Sequence, residues 1–105
     1  MYKLCFFVPD SHLASVKQAV FAAGGGRIGR YDRCCWQVLG EGQFRPLAGS
    51  QPHLGQVGEE EQVAEWKVEL VVEDARIREC IRALREAHPY ETPAYEAWRL
   101  DEPPG

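Results

Sequence analysis

The segment with the greatest density of reactive side chains in this 105-residue chain is His88-Pro-Tyr-Glu-Thr-Pro-Ala-Tyr-Glu96. It holds an imidazole, carboxylates and phenol rings, groups that can titrate, ligate or stack. His88 and Glu91 are candidate ligands of a divalent metal, because imidazole and carboxylate both bind such ions. Tyr90 and Glu91 are also candidates for contacts with a small ligand.

The same residues have a structural interpretation. Pro89 ends the preceding helix, because the residue before a proline is pushed out of the helical region. A histidine at a helix C-terminus commonly bonds the free carbonyls there. His12, His53 and His88 are far apart and form no H-x-x-x-H pair. Metal ligation by His88 would therefore need groups from elsewhere, and the segment is predicted to form a fold-defining corner near a subunit boundary.

A second candidate is the glycine-rich stretch Gly24-Gly-Gly-Arg-Ile-Gly29. Its backbone could form a nest that holds an anion, which makes Gly25, Gly26 and Arg27 candidates for ligand binding. The dinucleotide fingerprint requires glycines between a strand and a helix start, whereas these follow a helix. The alternative is a helix C-cap followed by a tight turn. An enzyme acting on a small anionic substrate would need this stretch and Tyr90–Glu91 in one cleft.

Composition and motifs exclude several function classes. The net charge is −4 and no basic run is present, which argues against a nucleic-acid partner. No apolar stretch approaches the ~20 residues of a membrane span. There is no Ser–His–Asp or Cys–His spacing, so no catalysis is expected. The N-terminus lacks the features of a secretory signal, and no cysteine lies in a C-x-x-C pair. Reduced thiols and a cytoplasmic location are the expectation.

Hydrophobic periodicity predicts six elements that would position these segments. Alternating apolar residues indicate strands, and apolar residues at helical spacing indicate helices. The predicted strands are 2–8, 32–39, 63–73 and 94–100, and the predicted helices are 11–23 and 75–87. Asp10 or Ser11 is predicted to cap the first helix and Asp74 the second.

The resulting order, β-α-β-β-α-β, is the ferredoxin-like arrangement of the α+β class. It places two helices on one face of an antiparallel sheet, with a long loop between strands 2 and 3. Residues 1–101 are predicted to be one domain and 102–105 a flexible tail. Trp36, Trp66 and Trp98 give the strands more apolar surface than one helix-covered face needs. The open face or an edge is therefore predicted to be buried by self-association.

Several motifs, in this order, resemble one family. The His88–Glu96 segment, Gly26-x-Ile-Gly-x-Tyr31 followed by Cys34, and Gly40-x-Gly-x-Phe-x-Pro46 are similar to the domain inserted in Nif-three-like (NGG-one-interacting-factor-three) proteins. Pro52-x-x-Gly and Val63-x-Glu also match, and the resemblance covers residues 2–100. The full-length relatives carry a larger core with a two-metal site, whose ligand motifs are absent here. The resemblance therefore implies a stand-alone domain without catalysis of its own.

That domain also resembles the copper-tolerance protein CutA and the PII signal proteins. These resemblances imply a homo-oligomer, trimer or dimer, with clefts between subunits. In PII-like proteins the loop between strands 2 and 3 reaches partners, a position filled here by residues 40–62. The expected function is a small cytoplasmic binding or regulatory module. A divalent-metal-binding, copper-tolerance-like protein is one alternative, and an enzyme acting on a small anionic substrate is another.

Overall fold

The computed structural model describes residues 1–101. The strands are β1 (Tyr2–Pro9), β2 (Trp36–Phe44), β3 (Glu61–Val72) and β4 (Tyr95–Arg99), and the helices are α1 (Leu13–Ala22) and α2 (Ile77–Ala87). The strands form one antiparallel sheet in the order β2-β3-β1-β4. The predicted ferredoxin-like β-α-β-β-α-β fold is thus confirmed. The predicted tail, 102–105, lies outside the described residues. Within residues 1–101, neither helix has the length and apolar character that spanning a membrane would require.

The sheet has one covered face, because alternate side chains of a strand point to opposite sides. Alternate residues of β1 and β3 pack there against both helices, so α1 and α2 lie on the same side. The core includes Leu4, Phe6, Val68, Leu70, Val20 and Leu84. At the edge, Lys17 Nζ of α1 donates a hydrogen bond to Gln37 Oε1 of β2 at 2.8 Å.

The opposite, open face mixes apolar and charged side chains. Trp36 of β2 pairs with Glu69 of β3, and Val38 pairs with Lys67. Trp98 of β4 lies on the same face and is 42% exposed, while Trp36 is 60% exposed. The third tryptophan, Trp66, is on the covered face, where it pairs with Val8 and packs against the core.

The predicted position of β2, 32–39, is wrong: the strand begins at Trp36 and runs through Gly40 and Gly42 to Phe44. Residues 32–35 are held outside the sheet by other backbone bonds. Gly26 N–H donates to the Val71 carbonyl, and Cys34 N–H donates to the Gly26 carbonyl. Pairing with β3 therefore starts later in the chain. Gly42 suits the strand because the Glu65 side chain occupies the space that a Cβ would fill.

The first predicted helix cap is also wrong. Helix α1 is preceded by a 3-10 turn over Asp10–His12, and neither helix start has a side-chain cap hydrogen bond. Instead, Asp10 Oδ1 accepts a hydrogen bond from Trp66 Nε1 at 2.8 Å, and Ser11 Oγ bonds His12 Nδ1. The Asp10 side chain is therefore engaged by a residue that is distant in sequence, and the Ser11 side chain by its neighbour.

Asp74 does not cap α2, which follows a 3-10 turn over Asp74–Arg76 without a side-chain cap. Its carboxylate accepts hydrogen bonds from the Met1 ammonium group and from Arg99 Nη1, the latter at 2.9 Å. These two bonds lower the pKa of Asp74. The residue therefore joins the N-terminus to β4 rather than completing the helix.

Candidate functional site

A cavity of about 230 Å³ lies where the loop between β2 and β3 meets the segment between α2 and β4. Apolar walls are supplied by Phe44, Pro46, Pro52 and Leu54. Polar lining groups include Glu65 from β3, His53 from the loop, and Tyr90 and Glu91 from the corner. Of the residues proposed from sequence, Tyr90 and Glu91 therefore border one concave site.

The loop over residues 45–60 is attached to the corner by specific contacts. The Gln51 N–H donates to Glu91 Oε1 at 3.0 Å. The His53 ring lies 5.6 Å from the His12 ring, edge to face, and 6.1 Å from the Tyr90 ring. This long connection consequently forms one wall of the cavity. A protein partner bound through residues 40–62 stays a prediction.

His88 is buried at the corner, with 6% of its surface exposed. Its Nε2 lies 2.6 Å from the Phe7 carbonyl oxygen, and its Nδ1 accepts a hydrogen bond from the Tyr90 N–H at 3.2 Å. A ring that donates at one nitrogen and accepts at the other is the neutral imidazole with its proton on Nε2. Burial lowers the pKa of His88, and the positive charges that His12 and His53 can carry lower it further. The hydrogen bond to Phe7 acts in the opposite direction.

The predicted metal site at His88 and Glu91 stays a prediction. Both ring nitrogens of His88 are engaged by backbone groups, and Glu91 accepts the Gln51 N–H. Ligation by His88 would have to displace one of these bonds. Across residues 1–101, no group of three or more histidine, cysteine, aspartate or glutamate side chains is arranged to hold a metal ion.

The Tyr90 hydroxyl is buried and has no hydrogen-bond partner among residues 1–101. The Glu65 carboxylate is near enough to affect the Tyr90 hydroxyl electrostatically and as a weak hydrogen-bond acceptor, but the two groups do not form a hydrogen bond of good geometry. Burial, and then the negative charge of Glu65, raise the pKa of Tyr90 to about 12. Burial likewise raises the pKa of Glu65. Both groups are therefore incompletely solvated beside the cavity.

The glycine-rich stretch lies at the other end of the sheet. Gly26 donates to the Val71 carbonyl near the start of β1, whereas the cavity borders Glu65, which pairs with Pro9 at the end of β1. The structure thus keeps Gly25, Gly26 and Arg27 apart from Tyr90 and Glu91 within one chain. The shared cleft that the enzyme alternative requires is not formed among residues 1–101.

The amide groups in this stretch are already used. The N–H groups of Gly24 and Gly25 donate to the carbonyls of Phe21 and Val20 at the end of α1. This is the hydrogen bonding of a helix C-cap. Together with the bond from Gly26 to Val71, it leaves these three amides engaged within the fold rather than directed at a ligand.

Sequence reasoning did not identify most of the residues that line the cavity, and Phe44, Glu65 and His53 are three examples. In the sequence, Glu65 cannot be distinguished from the other polar residues that alternate with apolar ones along β3. His53 stands in a loop with no periodicity. Phe44 belongs to the Gly-x-Gly-x-Phe-x-Pro motif, which was a usable signal of a special position. Only tertiary structure brings these three beside Tyr90.

No family model matches the chain. A curated protein of Mycobacterium leprae named GTP cyclohydrolase 1 type 2 homolog is 48% identical over 104 residues, which is 98% of this chain and 27% of that protein. The solved structure of a Bacillus cereus protein related to NIF3 is 36% identical, with a TM-score of 0.82 over 96% of this chain and 26% of that one. The chain thus spans about a quarter of the length of these relatives.

The chain also resembles more distant proteins, in fold alone. The PII-like protein CutA from a Nostoc species is 18% identical, with a TM-score of 0.63. That alignment covers 96% of this chain and 82% of the CutA chain. The fold of most of the CutA chain therefore matches the segment that is shared with the longer relatives.

Proposed function

We propose that this chain, which is similar in sequence to a part of NIF3-related proteins and in fold to CutA, is a cytoplasmic, homo-oligomeric binding or regulatory module without catalysis of its own. The relatives' name contains that of an enzyme, but the chain spans only 27% of their length. The activity of the whole relatives is therefore not transferred to this segment.

The open face of the sheet carries the proposal of self-association. Trp36, Val38 and Trp98 are exposed there, at 60%, 43% and 42% of their surface. Phe7 and Val71 alternate onto the same face from the two central strands. Exposed large apolar side chains gathered on one face of a sheet are typical of an interface.

A second copy of the chain is the partner that we propose for this face. The face carries charges of both signs, with Lys3 and Lys67 beside Glu69 and Glu96. Lys67 Nζ lies 3.8 Å from Glu69 Oε1 within one chain. Two copies can therefore place opposite charges against each other, as a symmetric interface favours.

The test is the solution mass, measured by light scattering at micromolar concentration. We expect a mass that is a multiple of the chain mass, and a monomer for the Trp36→Glu/Trp98→Glu double variant with an unchanged far-UV circular dichroism spectrum. Leu47→Glu is the matched control, because Leu47 is 66% exposed but lies in the loop. A monodisperse wild-type monomer would overturn the proposal.

The divalent-metal alternative has its own test. Because both ring nitrogens of His88 bond backbone groups, we expect no difference in copper or zinc retention between wild-type protein and His88→Ala after dialysis. Stoichiometric retention by the wild type that is lost in His88→Ala would instead establish a metal-binding role.

A further inference from the structure

We propose that the cavity beside Tyr90 binds a small organic cation, in which an ammonium group is attached to a compact apolar body. The inference rests on the proposed function as a binding module and names the ligand class of its cavity. It is carried by the size of the cavity, the signs of its charges and its aromatic lining.

The size of the cavity limits the ligand. About 230 Å³ lies below the roughly 300–1,000 Å³ of sites that enclose drug-sized molecules. The walls supplied by Phe44, Pro46, Pro52 and Leu54 are apolar. A ligand that fills this space must be small and must present apolar surface to most of the wall.

The charges select a cation. Among the described residues, the carboxylates that line the cavity are Glu65 and Glu91, and no lysine or arginine lines it. Glu91 already accepts the Gln51 N–H. Within residues 1–101, no cationic side chain is among the groups that affect the pKa of Glu65, so its negative charge is not balanced by a lysine or an arginine. Coulombic attraction therefore favours a positive ligand, and an anion such as a phosphate would be repelled.

The aromatic rings favour an organic ammonium over a metal ion. The Phe44 and His53 rings each lie 6.1 Å from the Tyr90 ring, tilted by 48° and 46°. The faces of phenylalanine and tyrosine rings attract a cation placed within about 6 Å of the ring centroid. Aromatic faces combined with carboxylates are the surroundings that recognise alkylated ammonium groups.

A neutral apolar ligand would bind in the cavity less tightly than a cation of the same shape. It would fill the cavity but would bring apolar atoms against the Glu65 carboxylate without supplying a positive charge, which is costly. Burial already raises the pKa of Glu65 before any ligand is present. A cation would offset this cost, and a neutral molecule of the same shape would increase it.

The test compares choline, its neutral isostere with carbon in place of nitrogen, and benzoate, by calorimetry and NMR titration. We expect saturable binding of choline, with the isostere and benzoate weaker by about tenfold or more. Glu65→Gln and Phe44→Leu should each weaken choline binding by about tenfold. Glu86→Gln, which removes an exposed carboxylate on α2, should bind choline as the wild type does.

Equal affinities for choline and its isostere, undiminished binding to both Glu65→Gln and Phe44→Leu, or no choline binding at millimolar concentration would each overturn the inference. Light scattering on the same samples separates this result from the test of self-association. A monomer that binds choline would contradict only the oligomer. An oligomer that does not bind choline would contradict only the ligand class.

Discussion

The His88 imidazole hydrogen-bonds through Nε2 to the backbone carbonyl of Phe7 at 2.6 Å. The N–H of the same Phe7 donates to the Ala94 carbonyl at 3.1 Å, just before β4 begins. In a continued antiparallel ladder the Ala94 N–H would bond the Phe7 carbonyl, and here the imidazole takes that place. The corner after α2 is thereby attached to β1 through both polar groups of one residue.

This bond predicts how stability depends on pH. Burial lowers the pKa of folded His88 below its ordinary value of 6.5. Well above pH 6.5, the His88 imidazole is neutral in both the folded and the unfolded protein. As the pH falls through 6.5, His88 of the unfolded chain takes up a proton before His88 of the folded protein does. The free energy of unfolding should therefore decrease as pH falls below about 7, until the folded state also takes up the proton.

The measurement is urea unfolding at pH 8 and pH 5.5 for the wild type and His88→Gln. We expect the wild type to lose more stability between these two conditions than the variant does. At pH 8 the variant should be less stable by about 1–3 kcal/mol, because the bonds to Phe7 and Tyr90 are weakened. Equal pH dependence in both proteins would contradict the assignment.

Removing the Tyr90 hydroxyl should not destabilise the protein. The hydroxyl is buried without a hydrogen-bond partner, and an unpaired buried polar group costs about 1–3 kcal/mol. Tyr90→Phe keeps the ring, so we expect thermal unfolding at the wild-type temperature or a few degrees above it. Tyr95→Phe is the control, because its hydroxyl accepts a hydrogen bond from Arg85 at 3.3 Å and should show a small loss. A loss above about 1 kcal/mol in Tyr90→Phe would mean that Glu65 is a true partner.

The fold could be predicted from sequence wherever local pattern and tertiary structure agree. Alternation over Ala64–Val72 identified β3, and apolar spacing identified both helices. The start of β2 could not be predicted, because it depends on the bonds from Gly26 to Val71 and from Cys34 to Gly26. The local hydrophobic pattern does not indicate which distant segments form hydrogen bonds with each other.

The candidate site was predicted in part for the same reason. Tyr90 and Glu91 were found because reactive side chains are dense in one short segment. Glu65 and His53 reach the cavity from segments far away in sequence, and the bond that places the loop joins residues 40 positions apart. The sequence alone does not show that these two residues are in contact.

The two glycines Gly26 and Gly29 should respond differently to alanine. Both have positive φ, at 79° and 57°, a conformation that costs alanine about 1–2 kcal/mol. A Cβ on Gly26 would also lie 2.7 Å from the Cys34 carbonyl oxygen and 2.9 Å from the Phe21 ring, whereas nothing lies within 4 Å at Gly29. Gly26→Ala should therefore cost about 1–3 kcal/mol more than Gly29→Ala in urea unfolding. Equal costs would contradict the close packing of the turn against Cys34.

The hydrogen bond from Gln51 to Glu91 should control the mobility of the loop that forms one wall of the cavity. Glu91→Ala removes the acceptor of the Gln51 N–H, which the structure places at 3.0 Å on an exposed surface. Global stability should change by less than about 1 kcal/mol, because exposed hydrogen bonds contribute little. Amide hydrogen exchange across residues 45–60 should accelerate, since local opening no longer breaks this bond. Exchange in α2 and β3 should stay at the wild-type rate, and Glu86→Ala should leave all segments unchanged. If the loop exchanges equally fast in Glu91→Ala and the wild type, the attachment must depend instead on the packing of His53 between His12 and Tyr90.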